Sequence, residues 1–132
     1  MTEDIGKLVL RVSVGVLILL HGISKLQNGI GGIEGMLESH GLPTLLAYGV
    51  YLGEVVGPVL VIIGLFTRVG AVLMVGNMAV AFTLAHMQEL FSLGQMGGWA
   101  LELQGMFLFG SIAIALLGAG RYSAGGINGR FN

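Results

Sequence analysis

The chain has 132 residues, of which 55% are hydrophobic and 10% are charged, and its formal net charge is −1. Soluble domains carry about 25% charged residues, and a water-soluble globule of this size is not expected because it could not bury so much apolar surface. The absence of a basic patch excludes a nucleic-acid partner. The absence of cysteine excludes disulfides, thiolate metal ligands and dithiol redox chemistry on this chain. The composition predicts an integral membrane protein whose surroundings are the lipid bilayer.

Four apolar segments are long enough to cross a bilayer as helices, which takes roughly 20 residues each. The N-terminal MTEDIGK places two acids before the first segment, and no small-residue cleavage site follows, so this segment is a retained helix and not a signal peptide. The connections predict a glycine-rich acidic loop over residues 27–42, a short turn near residues 64–68, a loop over residues 88–98 that ends at Trp99, and a polar, extended tail. The predicted spans are residues 7–26, 43–66, 68–87 and 99–117.

Short connections make consecutive helices antiparallel neighbours, so the predicted fold class is all-α. The predicted architecture is an integral membrane antiparallel four-helix bundle that forms one domain over residues 1–132. Basic residues favour the cytoplasmic side, and five of the six lie at the end that holds both termini. The sequence therefore predicts a multi-pass protein of the bacterial inner (plasma) membrane with both termini cytoplasmic. The five residues are Lys7, Arg11, Arg68, Arg121 and Arg130, and the one at the opposite end is Lys25.

Ionisable residues inside the predicted spans are candidates for a site, because each costs a few kcal/mol in hydrocarbon and usually faces the protein interior. At roughly 100° per residue, Arg11, His21 and Lys25 share one face of the first span. Glu54 lies roughly 16 Å into the second span at 1.5 Å per residue, and Pro58 deprives the Glu54 carbonyl of its helical donor. This combination predicts a binding feature. The alternative is a structural ion pair with a basic residue of another helix.

Three residues of the predicted spans, His21, His86 and Glu102, fall at similar height near the outer ends, and Glu54 lies somewhat deeper. Such a set can ligate a transition metal such as Zn, Fe or Cu, hydrogen-bond a quinone carbonyl, or relay protons. No His-Glu-x-x-His or Glu-x-x-His motif favours the metal. Asn77 lies about half a helical revolution from His86 and is interpreted as an interhelical hydrogen bond. The candidate ligand-binding residues are Arg11, His21, Lys25, Glu54, His86 and Glu102, and the candidate metal ligands among them are His21, Glu54, His86 and Glu102.

Several short elements occur in a fixed order along nearly the whole chain. They are Arg11, His21-Gly22-x-x-Lys25, Gly41-Leu42-Pro43, Gly53-Glu54, Gly64-Leu65-Phe66-Thr67-Arg68, Glu102 and Gly118-Ala119-Gly120-Arg121-Tyr122-Ser123. Together they resemble the DoxX family of four-helix inner-membrane proteins, some of which are linked to membrane redox complexes and oxidative-stress defence. The resemblance implies signature positions at Arg11, His21, Lys25, Glu54, Arg68, Glu102 and Arg121. One departure is that Ala124-Gly125-Gly126 follow Ser123, where the family often has an aspartate.

Three functions remain open at this point. We favour a membrane subunit of a redox system that binds a quinone-like, lipid-soluble carrier in a polar site within the bundle, because the buried polar residues and the family resemblance both support it. The chain has no haem, iron–sulfur or dinucleotide motif, so electrons would come through a bound carrier or redox partner proteins. The alternatives are a protein that binds or transports a metal or small solute, and a scaffold that recruits soluble redox partners. Gly49, Gly53 and Gly57 form a small-residue face that predicts close helix packing and is compatible with a homo-oligomer.

Overall fold

The computed structural model describes residues 2–85 and 102–132, and every regular element in these two ranges is a helix. The predicted loop over residues 88–98, its Trp99, and the adjoining ends of the third and fourth predicted spans lie outside the described residues. In chain order the elements are α1 (Thr2–Asn28), α2 (Gly31–Ser39), a 3-10 turn (Thr44–Tyr48), α3 (Gly49–Tyr51), a π-helical turn (Leu52–Val56), α4 (Gly57–Ile63), α5 (Thr67–Ala85) and α6 (Glu102–Leu117).

Residues 44–63 form one continuous rod, here called the composite helix, because the residues at its internal junctions keep right-handed helical backbone angles. Its middle turn is π-helical, and Pro58 provides the physical reason. Proline has no N–H, and in a regular α-helix its ring would clash with the carbonyl of Glu54, four residues earlier. The N–H of Gly57 donates instead to the carbonyl of Leu52, five residues back, which is the spacing of a π-turn.

A short helix, α2, occupies most of the segment that was predicted to be a loop over residues 27–42. It forms because Ile30 and Leu37 lie seven residues apart, on one helical face, and are both buried in a small apolar cluster against the composite helix. Gly29 and Gly41 adopt φ angles of +81° and +72°, and these left-handed residues flank the helix. Two of the glycines in this segment therefore mark the ends of a helix, and the segment is not an open loop.

The turn between α4 and α5 is held by the C-terminal tail. Gly64 ends the composite helix with a φ of +76°, and the N–H of Leu65 returns to the carbonyl of Leu60 at 3.1 Å. The side-chain Oδ1 of Asn132 accepts hydrogen bonds from the N–H of Thr67 at 3.0 Å and from its hydroxyl at 2.7 Å. Asn132 thus caps the start of α5. The tail, which was predicted to be extended, folds back onto this turn.

Apolar side chains and glycines bring α1, α4, α5 and α6 together. Where α4 crosses α5, a Cβ on Gly57 would lie 2.8 Å from the carbonyl oxygen of Gly70, so neither position leaves room for a side chain. Gly53 lies against Asn77 in the same way, whereas no described atom comes within 4 Å of a Cβ placed on Gly49. Two of the three predicted packing glycines therefore serve the contact with α5. The apolar core includes Ile18, Val61, Met74 and Ile114.

The exterior of these helices is apolar. Thr2–Asn28 and Leu46–Ile63 are long and apolar enough, by length and composition, to cross a membrane, and the apolar helical stretches Thr67–Ala81 and Leu103–Leu117 are shorter. Large apolar side chains stand exposed on all four; Val9, Val56, Val72 and Leu116 are examples. Contiguous apolar surface of this kind is unfavourable in water.

Candidate functional site

An ion pair between Lys25 and Glu54 joins α1 to the composite helix. The ammonium Nζ of Lys25 donates to Oε2 of Glu54, and this is the one ion pair within residues 2–85 and 102–132. The side chain of Glu54 is 3% exposed and that of Lys25 is 32% exposed. The Glu54 carboxylate is therefore buried, and its countercharge is the ammonium of Lys25, a side chain that is partly exposed at the protein surface.

Gly22 explains how α1 comes close enough for this pair to form. A Cβ on Gly22 would overlap the carbonyl oxygen of Glu54, so only glycine permits the approach. Lys25 follows three residues later, on the same side of α1, and its ammonium then reaches the carboxylate. The hydroxyl of Tyr51 also donates to the carbonyl of Lys25 at 3.3 Å. The Gly22-x-x-Lys25 and Gly53-Glu54 elements of the sequence thus meet at one point of the structure.

His21 lies beside the pair and is oriented by its own helix. Its ring Nδ1 lies 2.9 Å from the carbonyl of Leu17, and because a carbonyl only accepts, Nδ1 carries the proton. The ring packs edge-to-face on Phe107 of α6, with centroids 5.4 Å apart and an interplanar angle of 83°. In the neutral ring Nε2 is then an acceptor, which can bind a hydroxyl or N–H of a ligand.

A cavity of about 930 Å³ opens beside the ion pair, bounded by α1, α2, the composite helix, α5 and α6. Its wall is mostly apolar, and α2 contributes Met36 and Leu37 at the outer end. Apolar side chains on its rim, among them Leu52 and Val72, are exposed on the helix exterior. The polar lining residues are His21, Lys25, Glu54, Asn77 and Gln104.

Two of these polar lining residues were not among the sequence candidates. Asn77, for which an interhelical hydrogen bond was predicted, lies against Gly53 of the composite helix and lines the cavity. Gln104 was not singled out at all. The available signal was that each is an amide within an apolar helical run, and a buried amide needs a partner or a ligand. Helical phase alone could not show which amides face a cavity.

Arg11 lies at the other end of α1, although it shares a face with Lys25. Fourteen residues separate the two, which is about 21 Å along a helix. The Arg11 side chain is buried, and its Nη1 donates to the carbonyls of Val61 at 2.9 Å and Ile62 at 3.2 Å, while Nη2 donates to the carbonyl of Tyr122. The structure thus places Arg11 on the C-terminal carbonyls of α4, where a cation also suits the helix dipole.

Two further signature elements meet near Arg11 at this end of α1. A Cβ on Gly64 would contact both Ser123 and Nη1 of Arg11, and the N–H of Gly125 donates to the carbonyl of Gly64 at 2.9 Å. Arg68 Nη1 donates to the last carbonyls of α6, those of Ala115 and Leu116, at 3.2 Å each. The signature residues therefore separate into a cavity cluster (His21, Gly22, Lys25, Gly53 and Glu54) and an inner knot (Arg11, Gly64, Thr67, Arg68 and Ser123).

The remaining candidates, His86 and the side chain of Glu102, lie outside the described residues, although Glu102 is the first residue of α6. Among the described residues, no three histidine, aspartate or glutamate side chains come together in a way that would hold a metal ion. Of the proposed metal set, the structure thus locates only His21 and Glu54, both at the cavity.

Comparison with known proteins identifies the family of the chain. The family model for DoxX matches residues 6–87, which include the cavity cluster, and the chain belongs to the DoxX family, whose members are membrane-associated. It is similar to a Bacillus subtilis protein named "Putative oxidoreductase CatD", with 36% identity over 119 residues, covering 88% of this chain and 81% of that protein. It is also similar to an "Uncharacterized protein" of Haemophilus influenzae, with 34% identity over 104 residues and 76% of each chain covered. No solved structure is significantly similar to the chain.

Proposed function

We propose that this protein is a membrane subunit of a redox system and that it holds a quinone-like, lipid-soluble carrier in the cavity beside Lys25 and Glu54. The observation that carries the proposal is the cavity itself, an apolar space of about 930 Å³ with an ion pair and a histidine in its wall. Small-molecule sites typically occupy about 300–1,000 Å³ and combine apolar walls with a few fixed polar groups. The DoxX membership and the name of the Bacillus relative support a redox context.

The polar groups suit a molecule that carries oxygen atoms on an apolar ring. The Lys25 ammonium has three N–H donors, of which one is engaged by Glu54, so the others are available to a carbonyl oxygen. His21 Nε2 is an acceptor for the hydroxyl that forms when a quinone is reduced. Phe107, already against His21, offers an aromatic edge. In this scheme the chain binds and orients the carrier, and a redox partner protein supplies the electrons.

Entry from the lipid phase is part of the proposal. The rim residues Leu52 and Val72 are exposed on the outside of their helices, so a hydrophobic molecule dissolved in the bilayer meets apolar surface up to the cavity. Met36 and Leu37 of α2 close the outer end, between the flanking glycines Gly29 and Gly41. Polar solutes would meet no comparable polar path among the described lining residues, and this favours a lipid-soluble ligand over a water-soluble one.

We also propose a four-span layout in the bacterial inner membrane, with α1, the composite helix, α5 and α6 as the spans of one four-helix bundle. The apolar exterior of all four helices and the positive charge near the inner knot support it. Reporter fusions at residues 35 and 125 are expected to report opposite compartments, with residue 125 cytoplasmic. If both reporters are active in the same compartment, the layout is wrong.

The quinone proposal predicts a carrier that stays with the protein. Protein purified in mild detergent and extracted with organic solvent is expected to yield a quinone, and added quinone is expected to raise the thermal unfolding midpoint. In the Lys25→Met/Glu54→Gln variant, retention should fall at least tenfold, because the ammonium donors of Lys25 are gone. A Lys7→Met variant is the matched control and should retain wild-type levels. Absence of quinone from the extract together with no thermal shift would refute the proposal.

A further inference from the structure

We propose that the inner end of the protein carries a site for one anionic phospholipid, formed between α5 and the folded tail. A second, smaller groove of about 270 Å³ lies there, lined by Arg68, Val69, Val72, Leu73 and Phe131. All but one of these residues is apolar, and the exception is an arginine. The groove is shaped for a hydrocarbon chain that ends next to a positive charge. The inference rests on the membrane placement proposed above, and it is independent of the ligand in the large cavity.

Arg68 in the groove and Arg130 beside it have no side-chain carboxylate partner among the described residues. Within the described ranges the only ion pair joins Lys25 to Glu54, so Arg68 and Arg130 each lack an acidic group within 4.0 Å. Arg68 uses Nη1 on the last two carbonyls of α6, which carry partial negative charge but no full countercharge. Arg130 lies over the ring of Phe131, 5.2 Å from its centroid. A phosphate bound here would supply the missing negative charge.

The tail holds Phe131 at the groove in an uncommon conformation. Its φ is +56°, which is strained for a bulky side chain and persists only where surrounding contacts hold it. The contacts are the N–H of Arg68, which donates to the Phe131 carbonyl at 2.9 Å, and Asn132, whose side chain is bonded to Thr67. Phe131 is nevertheless 55% exposed. It therefore presents apolar surface at the groove.

The positive charge of Arg68 and Arg130 favours an anionic lipid over a second copy of the chain as the occupant of the groove. A second copy of the chain docked here through a two-fold interface would bring like-charged arginines together in low dielectric. An anionic phospholipid instead pairs its phosphate with Arg68 and Arg130 and lays an acyl chain along Val69 and Val72. The inner leaflet is the side on which the basic residues are proposed to lie, and polybasic sites near membranes bind acidic lipids.

The test compares phosphatidylglycerol, phosphatidylcholine and glycerol phosphate as ligands of the detergent-purified protein, by native mass spectrometry and thermal shift. Phosphatidylglycerol is expected to be retained and to raise the thermal unfolding midpoint. Phosphatidylcholine and glycerol phosphate are expected neither to be retained nor to shift the midpoint. Arg130→Gln and Arg68→Gln should each lower phosphatidylglycerol retention about fivefold, the effect of one basic residue at an anionic lipid surface. Val69→Trp should lower it as well, by filling the groove without changing the charge.

Arg121→Gln is the matched control, because Arg121 is exposed at the same end but neither lines the groove, as Arg68 does, nor lies over the Phe131 ring, as Arg130 does. It should retain phosphatidylglycerol at the wild-type level. Equal retention in the wild type and in Arg130→Gln would overturn the site, and so would an equal loss in Arg121→Gln, which indicates diffuse charge. Binding of glycerol phosphate as strong as that of the lipid would show a phosphate site and overturn the lipid assignment. Quinone retention is measured on the same variants, so failure here is distinguishable from failure of the proposed function.

Discussion

The Lys25→Met variant is expected to lose about 3 kcal/mol of unfolding free energy. Removing one partner of a buried pair typically costs 3–5 kcal/mol, because the other charge remains buried without compensation. The lower end applies since the Lys25 side chain is 32% exposed and part of its charge is already screened by solvent or headgroups. The Glu54 carboxylate, 3% exposed, then has no cation. Titration of the detergent-solubilised protein with a denaturing detergent measures the loss.

The burial of the two partners also predicts an asymmetry. Glu54→Gln should cost only about 1 kcal/mol, the net value of one hydrogen bond, because the freed Lys25 ammonium can turn to the surface. The double variant Lys25→Met/Glu54→Gln should recover most of the loss seen in Lys25→Met, since no charge is left buried. Lys7→Met, the same replacement on the same helix, should change stability by less than about 0.5 kcal/mol. Additive losses in the double variant would contradict a direct pair.

Replacing Arg11 is expected to have the largest purely structural effect. Arg11→Met removes three donated hydrogen bonds and leaves the carbonyls of Val61, Ile62 and Tyr122 without this partner. At about 1–3 kcal/mol for each buried group left unsatisfied, a loss of about 4 kcal/mol is expected. The tail also loses its link to α1, so tryptic cleavage after Arg121 should become faster. Thermal unfolding and limited proteolysis measure the two effects.

Controls separate this structural role from a role in ligand binding. Arg11→Lys keeps the charge but reaches fewer carbonyls, and it should lie between wild type and Arg11→Met. Because Arg11 is about 21 Å along α1 from Lys25, Arg11→Lys should bind quinone with unchanged affinity. Arg121→Met, an exposed residue of the same end, should stay within about 0.5 kcal/mol of wild type. An unchanged stability in Arg11→Met would show that the inner knot does not hold the tail.

Part of the site was predictable from the sequence because an ionisable side chain within an apolar span is energetically unfavourable and therefore marks a candidate site. Glu54 was identified as a site residue on that ground, with an ion pair as the alternative reading, and the structure shows it paired with Lys25. The choice of partner was not predictable, because it depends on Gly22 lying against the Glu54 carbonyl. That contact is made between helices and leaves no periodic signal in either one.

Other features escaped prediction for separate physical reasons. Arg11 was grouped with His21 and Lys25 by helical phase, and its partners, the carbonyls at the C-terminal end of α4, could not be predicted because they depend on how α1 packs against α4. The segment of α2 is too short and too rich in glycine for a clear helical pattern, and its helix depends on burial of Ile30 and Leu37. Asn77 faces the cavity because Gly53 opposite it has no side chain.

Photolabelling with an azidoquinone in membranes, followed by mass-spectrometric mapping, tests the central claim most directly. The label is expected on residues 72–81 of α5 and beside Lys25, to be displaced by excess unlabelled quinone, and to disappear in Lys25→Met/Glu54→Gln. Labelling of lipid-facing residues such as Val9 and Leu116 as strong as that of residues 72–81, with no displacement, would mean that the cavity does not bind the carrier.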